Sequence, residues 1–424
     1  MTSIANRRKE QTPAPLSVRT TCRACDSQAL SPVLSLGEVP LANSYLSADQ
    51  LHLPEPRFPL EIYFCESCSL LQLRHVVSPD VLFSHYLYMT GTNQTIVRHN
   101  QSLAAAVSRE LGLRAGDLVV EVASNDGSLL ACFNKYAVRA LGIEPARNIA
   151  SIARQRGIET LNEFFDQRTA EQILAEKGPA KAVLANNVLA HVDSTVEFLS
   201  ACRTILAPDG RVVVEAPYLA EMLERLEYDT IYHEHLCYLS VTPLLRLFER
   251  AGLALDRVDR VPIHGGSLRL WAKHLDSSGH SESVRQMAAL ERDAGFHRIE
   301  TYLEFARRVQ HSRTQLVALL DQIHAQGKIV AAYGAPAKGN TLLCYCGITS
   351  DRIPYTVDRS PLKIGLHTPG SHIPILPVET LFERQPDFVL LLAWNFAEEI
   401  LDFLKPYRDR GGRVILPIPE PRVV

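Results

Sequence analysis

Two histidines, the carboxylate between them and three tyrosines crowd into residues 228–238, which read YDTIYHEHLCY. Histidine titrates near neutral pH, and an adjacent carboxylate raises its basicity, so Tyr232-His233-Glu234-His235 could supply a general base. The triplet is not the HExxH arrangement that sets two imidazoles one helical turn apart on zinc, so a metal is not expected here. The plain alternative is a buried polar network in a cap or loop.

A second set of reactive side chains lies near the N-terminus. Cys22, Cys25, Cys65 and Cys68 form two CxxC pairs separated by a strand- and turn-rich stretch. Four thiolates at this spacing can close a tetrahedral zinc site. Such a site leaves no position for substrate, so the expected Zn2+ is structural and supports a module too small for a large core. The other five of the nine cysteines are scattered, and no secretory signal accompanies them, which argues against a disulfide framework.

Residues 118–145 carry a third candidate site. An apolar run, 118–123, meets the polar turn Ser124-Asn125-Asp126-Gly127, then an apolar-periodic segment, then a second apolar run ending at Glu144-Pro145. This reads as strand, turn, helix, strand, and ligands of a parallel sheet sit where these turns lie. Gly127 lets backbone approach a ligand closely. Glu144, at the tip of the second strand, is placed to accept hydrogen bonds from a ribose diol. With Glu121, Ser124, Asn125, Asp126 and Pro145, it outlines a nucleoside site. Neither a G-x-G-x-x-G fingerprint nor a P-loop is present, so S-adenosylmethionine (SAM, leaving as its demethylated product SAH) suits the site better than NAD or ATP. Further on, a buried strand over 181–185 ends in Asn186-Asn187, with His191 following, and again points into the cleft.

Three later stretches could hold anions or sugar oxygens. His264-Gly265-Gly266-Ser267-Leu268-Arg269 could grip phosphate or sugar through His264, Ser267 and Arg269, or could be a solvated glycine turn. Residues 334–340, GAPAKGN, place Lys338 and Asn340 at a turn opening a helix, where an anion meets helix N-termini. Asp358 ends a strand over 355–358, Lys363 follows, and an apolar strand over 388–394 ends in Trp394 and Asn395. Lys338 and Lys363 as solvated surface charges are the alternative.

These residues need a frame. The chain has 424 residues, is 46% hydrophobic and 21% charged and has net charge -3, which allows two or three packed domains and offers no basic surface for nucleic acid. No apolar run approaches the roughly 20 residues of a membrane span, and the first residues have no signal-peptide core, so a cytoplasmic protein is expected. Strand- and helix-like segments alternate from 94 to 261 and again from 328 to 417, which implies two parallel sheets flanked by helices. Residues 94–113, 147–156 and 194–206 read as helices, 208–210 as a turn, and 287–326 as one long helix or a pair. The polar segment 275–286 reads as a linker. The expected architecture is α/β: a small N-terminal zinc-binding module, a central Rossmann-like SAM domain and a second, C-terminal Rossmann-like α/β domain. Boundaries are placed at 1–17 for a disordered leader, 18–90, 91–275 and 276–424.

The paired CxxC knuckles, EVASNDGSLL, YHEH and YGAPAKGNTLLCYCG, with HGGSLR and the AWN of 393–395, together resemble the zinc-containing sugar C-methyltransferases. That family acts on nucleotide-linked 4-keto deoxysugars. The resemblance spans about 20–420. It implies that His235 is the catalytic base, with Glu234 and Tyr232 as partners. It also implies that a tyrosine of the zinc module, Tyr86 or else Tyr88, reaches the site, and that His191 lies near the sugar. The implied substrate is a dTDP-linked keto-deoxysugar held partly by the C-terminal domain, methylated at C-3 more readily than C-5, by a chain expected to act as a monomer. Two rivals remain. An O- or N-methyltransferase needs the same donor site without a carbon acid, and a non-catalytic zinc-ribbon binding protein needs neither.

Overall fold

The computed structural model describes residues 16–83, 94–263, 265–276 and 278–424. The N-terminal part contributes β1 (Leu16–Val18), β2 (Leu30–Val39), β3 (Phe58–Cys65), β4 (Leu71–Leu73) and β5 (His75–Val77). β2, β3 and β4 are antiparallel neighbours, and the two CxxC pairs flank β2 and β3.

The middle part follows the amphipathic helix Gln94–Leu111. Its strands are β6 (Leu118–Val122), β7 (Arg139–Ile143), β8 (Glu159–Leu161), β9 (Ala180–Asn186), β10 (Leu206–Pro217), β11 (Cys237–Tyr238), β12 (Leu253–Val261) and β13 (Ser267–His274). All but β11 form one sheet in the order β12-β13-β10-β9-β6-β7-β8. β8, β7, β6, β9 and β10 run parallel, and β13 is antiparallel to β10 and β12. Every residue of β6 is buried, as expected of a parallel strand covered on both faces. The chain direction of the winding reverses at β6, so a crevice opens beyond the carboxyl ends of β6 and β9.

β11 leaves this sheet and pairs with β4 of the N-terminal part. The Leu73 N–H donates to Leu236 O at 2.9 Å, so the chain directly after His235 is a strand of the zinc module's own sheet.

The C-terminal part is reached through the helices Glu282–Asp293 and Ile299–Ala325. Its strands are β14 (Val330–Tyr333), β15 (Thr356–Asp358), β16 (Ile375–Pro377), β17 (Phe388–Leu391), β18 (Arg413–Leu416) and β19 (Arg422–Val423), in the order β16-β15-β14-β17-β18-β19. All pairs are parallel except β18 with β19. Winding reverses at β14, giving a second crevice beyond β14 and β17.

Three local expectations change. The segment 275–286 is not all linker, because Ser281 caps a helix by accepting from the Val284 N–H. The apolar run 388–394 is strand only to Leu391, and Trp394–Phe396 forms a 3-10 turn that carries Trp394 out of the sheet. The turn expected over 208–210 lies within β10, whose pairing with β9 shifts register between Leu206 and Arg211. Among the described residues, no helix is long and apolar enough to cross a membrane.

Candidate active site

At the first crevice the turn after β6 is held in left-handed backbone: φ is 52° at Ala123, 50° at Asn125 and 74° at Gly127. A Cβ on Gly127 would lie 2.9 Å from Ile158 Cγ1, so glycine is needed for space as well as conformation. Glu144 braces the turn, accepting from Asn125 N at 2.9 Å and Ala146 N at 2.8 Å. Asn162 Nδ2 donates to the carbonyls of Glu144 and Pro145 and fixes that loop. Asp126 is fully buried, ion-paired with Arg156 at 2.6 Å, and accepts from Ser128 N at 3.2 Å. Its visible work is to hold the turn.

Glu121 is buried beside Asp126 and Glu144. Burial first, then those two negative charges, push its carboxyl well above the usual range. Burial also raises Glu144. Glu121 Oε2, Ser124 Oγ and Asn186 Oδ1 have no hydrogen-bond partner among the described residues. Unpaired buried acceptors are rare, and here they gather at one switch point next to a net negative cluster. They fit a cationic nucleoside such as SAM. Asn187, at φ 54°, ends β9 by donating its N–H to Glu215 O at 2.7 Å.

The ionisable cluster lies beside this crevice. His235 Nδ1 is 2.7 Å from Thr230 O. A carbonyl only accepts, so Nδ1 carries the proton and the basic lone pair is on Nε2. Tyr232 stacks on His235 with ring centres 4.0 Å apart, and His191 meets it edge-on at 4.9 Å. Leu236 N donates to Ala190 O at 2.7 Å, tying the two loops together. Burial holds the His191 imidazole down at about 4, so it is neutral at physiological pH.

Exposure differs along the motif: Tyr232 and His235 at its ends are half-buried, whereas His233 and Glu234 between them are buried. His233 faces away, donating from Nε2 to Phe58 O of β3 at 3.3 Å. The Glu234 carboxylate accepts from Asn43 Nδ2 at 2.6 Å, while the Nδ1 partner of His235 is a backbone carbonyl.

The second crevice gathers the C-terminal candidates. Asp358 Oδ2 accepts from Ala335 N at 2.7 Å, and Ala335 O accepts from Lys363 Nζ at 2.7 Å and from Tyr45 Oη at 2.5 Å. Asn340 Nδ2 donates to Ala42 O at 2.7 Å. Lys338 Nζ lies 3.3 Å from Glu227 Oε2 and 5.6 Å from the Trp394 ring centre. Trp394 Nε1 donates to Asp229 Oδ2 at 2.6 Å, and Asn395 follows in the same turn. Ser267 and Arg269 are not in this group. Ser267 Oγ donates to Ile263 O within the hairpin, and Arg269 Nε pairs with buried Glu215 at 2.6 Å beside the first crevice. His99 Nε2 meets the other Glu215 oxygen at 2.6 Å. Tyr86, Tyr88 and His264 lie outside the described residues.

In the N-terminal module, the ligand atoms of Cys22, Cys25, Cys65 and Cys68 all lie within 4.8 Å of one another. Cys22 and Cys68 Sγ are 3.5 Å apart, and Cys25 and Cys65 Sγ 3.6 Å. A zinc tetrahedron with bonds of about 2.3 Å has edges of about 3.8 Å, whereas a disulfide needs about 2.05 Å. The arrangement therefore fits zinc. The knuckle docks on the middle part: buried Arg23 pairs with Asp193 at 3.0 Å, and Thr195 Oγ1 donates to Arg23 O at 2.9 Å.

Comparison with known proteins follows the same division. Residues 22–83 match a zinc binding domain model, 96–258 a methyltransferase domain and 262–419 a C-methyltransferase C-terminal domain. The chain is 41% identical over 404 residues to the C-methyltransferase NovU of Streptomyces niveus, covering 95% of this chain and 96% of NovU. The chain belongs to the zinc-containing, SAM-dependent C-methyltransferases. A ubiquinone biosynthesis O-methyltransferase of Burkholderia pseudomallei is 24% identical over 166 residues, 35% of this chain and 69% of that one. The magnesium protoporphyrin IX methyltransferase structure from Synechocystis aligns at TM-score 0.33 and 14% identity, over 42% of this chain and 83% of that one.

For a C-methyltransferase the notable surprise is how far the zinc module reaches in. Asn43 and Tyr45, unremarked in the sequence, touch Glu234 and Ala335 respectively, and Tyr45 lies under Lys363, whose Nζ is 5.0 Å from the ring centre. The one sequence cue is the short polar run Asn43-Ser44-Tyr45, which directly follows the apolar Val39-Pro40-Leu41-Ala42.

Proposed function

We propose that this C-methyltransferase acts on a nucleotide-linked, dTDP-bearing 4-keto-deoxysugar, with His235 as the base. The observation that carries the reading is the His235 ring itself: half-buried, oriented through Nδ1 by a carbonyl, and presenting a basic Nε2 beside the SAM crevice. Carbon becomes a nucleophile when a proton next to a ketone is removed and the charge spreads onto oxygen. His235 Nε2 takes that proton. The hydroxyl of Tyr232, neutral His191 and the zinc-module tyrosine Tyr86 or Tyr88 are suited to stabilise the enolate oxygen. SAM, when bound by Glu121, Ser124, Asn125, Glu144, Asn186 and Asn187, supplies an activated sulfonium methyl group. The chain's remaining task is alignment, since displacement at that methyl needs the carbanion in line.

The second crevice, with Lys338, Asn340, Asp358, Lys363, Trp394 and Asn395, suits the diphosphate and nucleoside half. Methylation at C-3 is favoured over C-5. One structural Zn2+ at the four thiolates, and a reducing, cytoplasmic setting that keeps them ligating, belong to the same reading. So do domain divisions near residues 90 and 275.

His235→Asn tests it. Turnover of dTDP-4-keto-6-deoxyhexoses should fall at least 100-fold, the scale of general-base catalysis, while SAM binding persists. Solvent deuterium exchange next to the ketone, without SAM consumption, should vanish with it. Near wild-type turnover in the variant would rule the base out, and methylation of an oxygen or nitrogen in the product would rule out carbon as the nucleophile.

A further inference from the structure

The segment between Glu227 and Thr230 joins the second crevice to the base. Its first three side chains turn towards the C-terminal part. Glu227 meets Lys338, Tyr228 packs edge-on against Tyr345 at 5.7 Å, and Asp229 accepts from Trp394 Nε1 at 2.6 Å. Its last carbonyl, Thr230 O, points the other way and accepts from His235 Nδ1. The turn is one 3-10 helix, Tyr228–Thr230, and Thr230 Oγ1 closes it by donating to Glu227 O at 2.7 Å.

We propose that Asp229 is a positioning residue: its bond to Trp394 holds the Thr230 carbonyl against His235 and so fixes which imidazole nitrogen is basic. This rests on His235 being the base. Asp229 is completely buried, and its Oδ1 has no partner among the described residues. A carboxylate so placed is retained at a cost to stability: burial pushes it up to about 6 even with the Lys338 charge and the Trp394 bond drawing it back down. Among the described residues, its hydrogen bond to another part of the chain goes to the indole that stands at the end of β17 with the Lys338 ammonium 5.6 Å from its ring centre. Occupancy of the second crevice and alignment of the base are therefore joined through one residue. Without the bond the turn loses one of its anchors, Thr230 O shifts, and in part of the population the His235 proton moves to Nε2, which takes the basic lone pair away from that atom. A misplacement of about 1 Å at a reacting group can cost about 100-fold in rate.

The test uses full-length, zinc-loaded protein, SAM and dTDP-4-keto-6-deoxyhexoses as probes. Asp229→Ala should lower kcat about 10- to 100-fold with the KM for SAM within about twofold. Asp229→Asn keeps an acceptor oxygen for the indole and should recover to within about threefold of wild type. Trp394→Phe removes the donor together with part of the ring, and its tautomer readout provides the test should Asp229→Ala fold poorly. In 15N-histidine spectra, the resonance missing from His235→Asn identifies the ring. It should report Nδ1–H in wild type and a mixture with Nε2–H in Asp229→Ala and Trp394→Phe.

Unchanged kcat in Asp229→Ala, a loss in the Asn variant as deep as in the Ala variant, or an unchanged tautomer in Asp229→Ala or Trp394→Phe would overturn the positioning role. If His235→Asn itself retains turnover, the base assignment has failed instead. Loss in His235→Asn with normal Asp229→Ala removes only the present inference.

Discussion

Replacing His233 with glutamine should make the protein's stability less sensitive to acid. The ring is 2% exposed, lies edge-on to Phe58 at 5.8 Å and donates to its carbonyl. Burial holds the imidazole down at about 4, against 6.5 when unfolded. The unfolded chain therefore takes up a proton first as pH falls. Stability is complete above pH 6.5 and is lost between 6.5 and about 4. At about 1.36 kcal/mol per unit the full loss is about 3.4 kcal/mol, of which about 2 kcal/mol falls between pH 7 and pH 5.

Glutamine does not titrate, and its Nε2 can still donate to the Phe58 carbonyl. It gives up the aromatic contact, which shifts stability by the same amount at every pH. Only the pH-dependent part is diagnostic. Urea unfolding of both proteins at pH 7 and pH 5 should show wild type losing about 2 kcal/mol more than His233→Gln. Parallel pH curves would refute the burial of a neutral His233. They would also remove the reason for assigning the two histidines of YHEH to different tasks.

Other outcomes follow from the same geometry. Glu121→Gln should raise the melting temperature at pH 8 but not at pH 5, because the native carboxyl is raised and its cost grows as pH climbs above the unfolded value. The same change should weaken SAM by calorimetry, since it puts an amide where the carboxyl's unpartnered Oε2 is left for the donor. Metal analysis should find about one zinc per chain. Cys65→Ser or strong chelation should lower the melting temperature and abolish turnover together, because β11, directly after His235, is part of the zinc module's sheet.

Local chemistry was readable from residue order. CxxC pairs announce their ligands because four thiolates within a short module have little else to do. The β6 turn announces itself because an apolar strand, a left-handed polar turn and a buried acid are all set within about 30 residues, and local backbone preferences suffice to shape them. The alternation of strands and helices likewise implied two parallel sheets, and the family resemblance was carried by short contiguous motifs.

Tertiary structure decided the rest. That His235 stays half-buried while His233 supports β3 depends on β11 pairing with β4, a contact between segments far apart in the chain. That Arg269 serves Glu215 follows from hairpin register, which sets it opposite β10 in a way that residue type alone does not reveal. Asn43 reaches Glu234 across 191 positions, and the orienting group of His235 is a main-chain carbonyl, which every residue possesses. Side-chain identity is written in the order of residues, whereas the direction in which a backbone dipole points is set only when the units pack against one another.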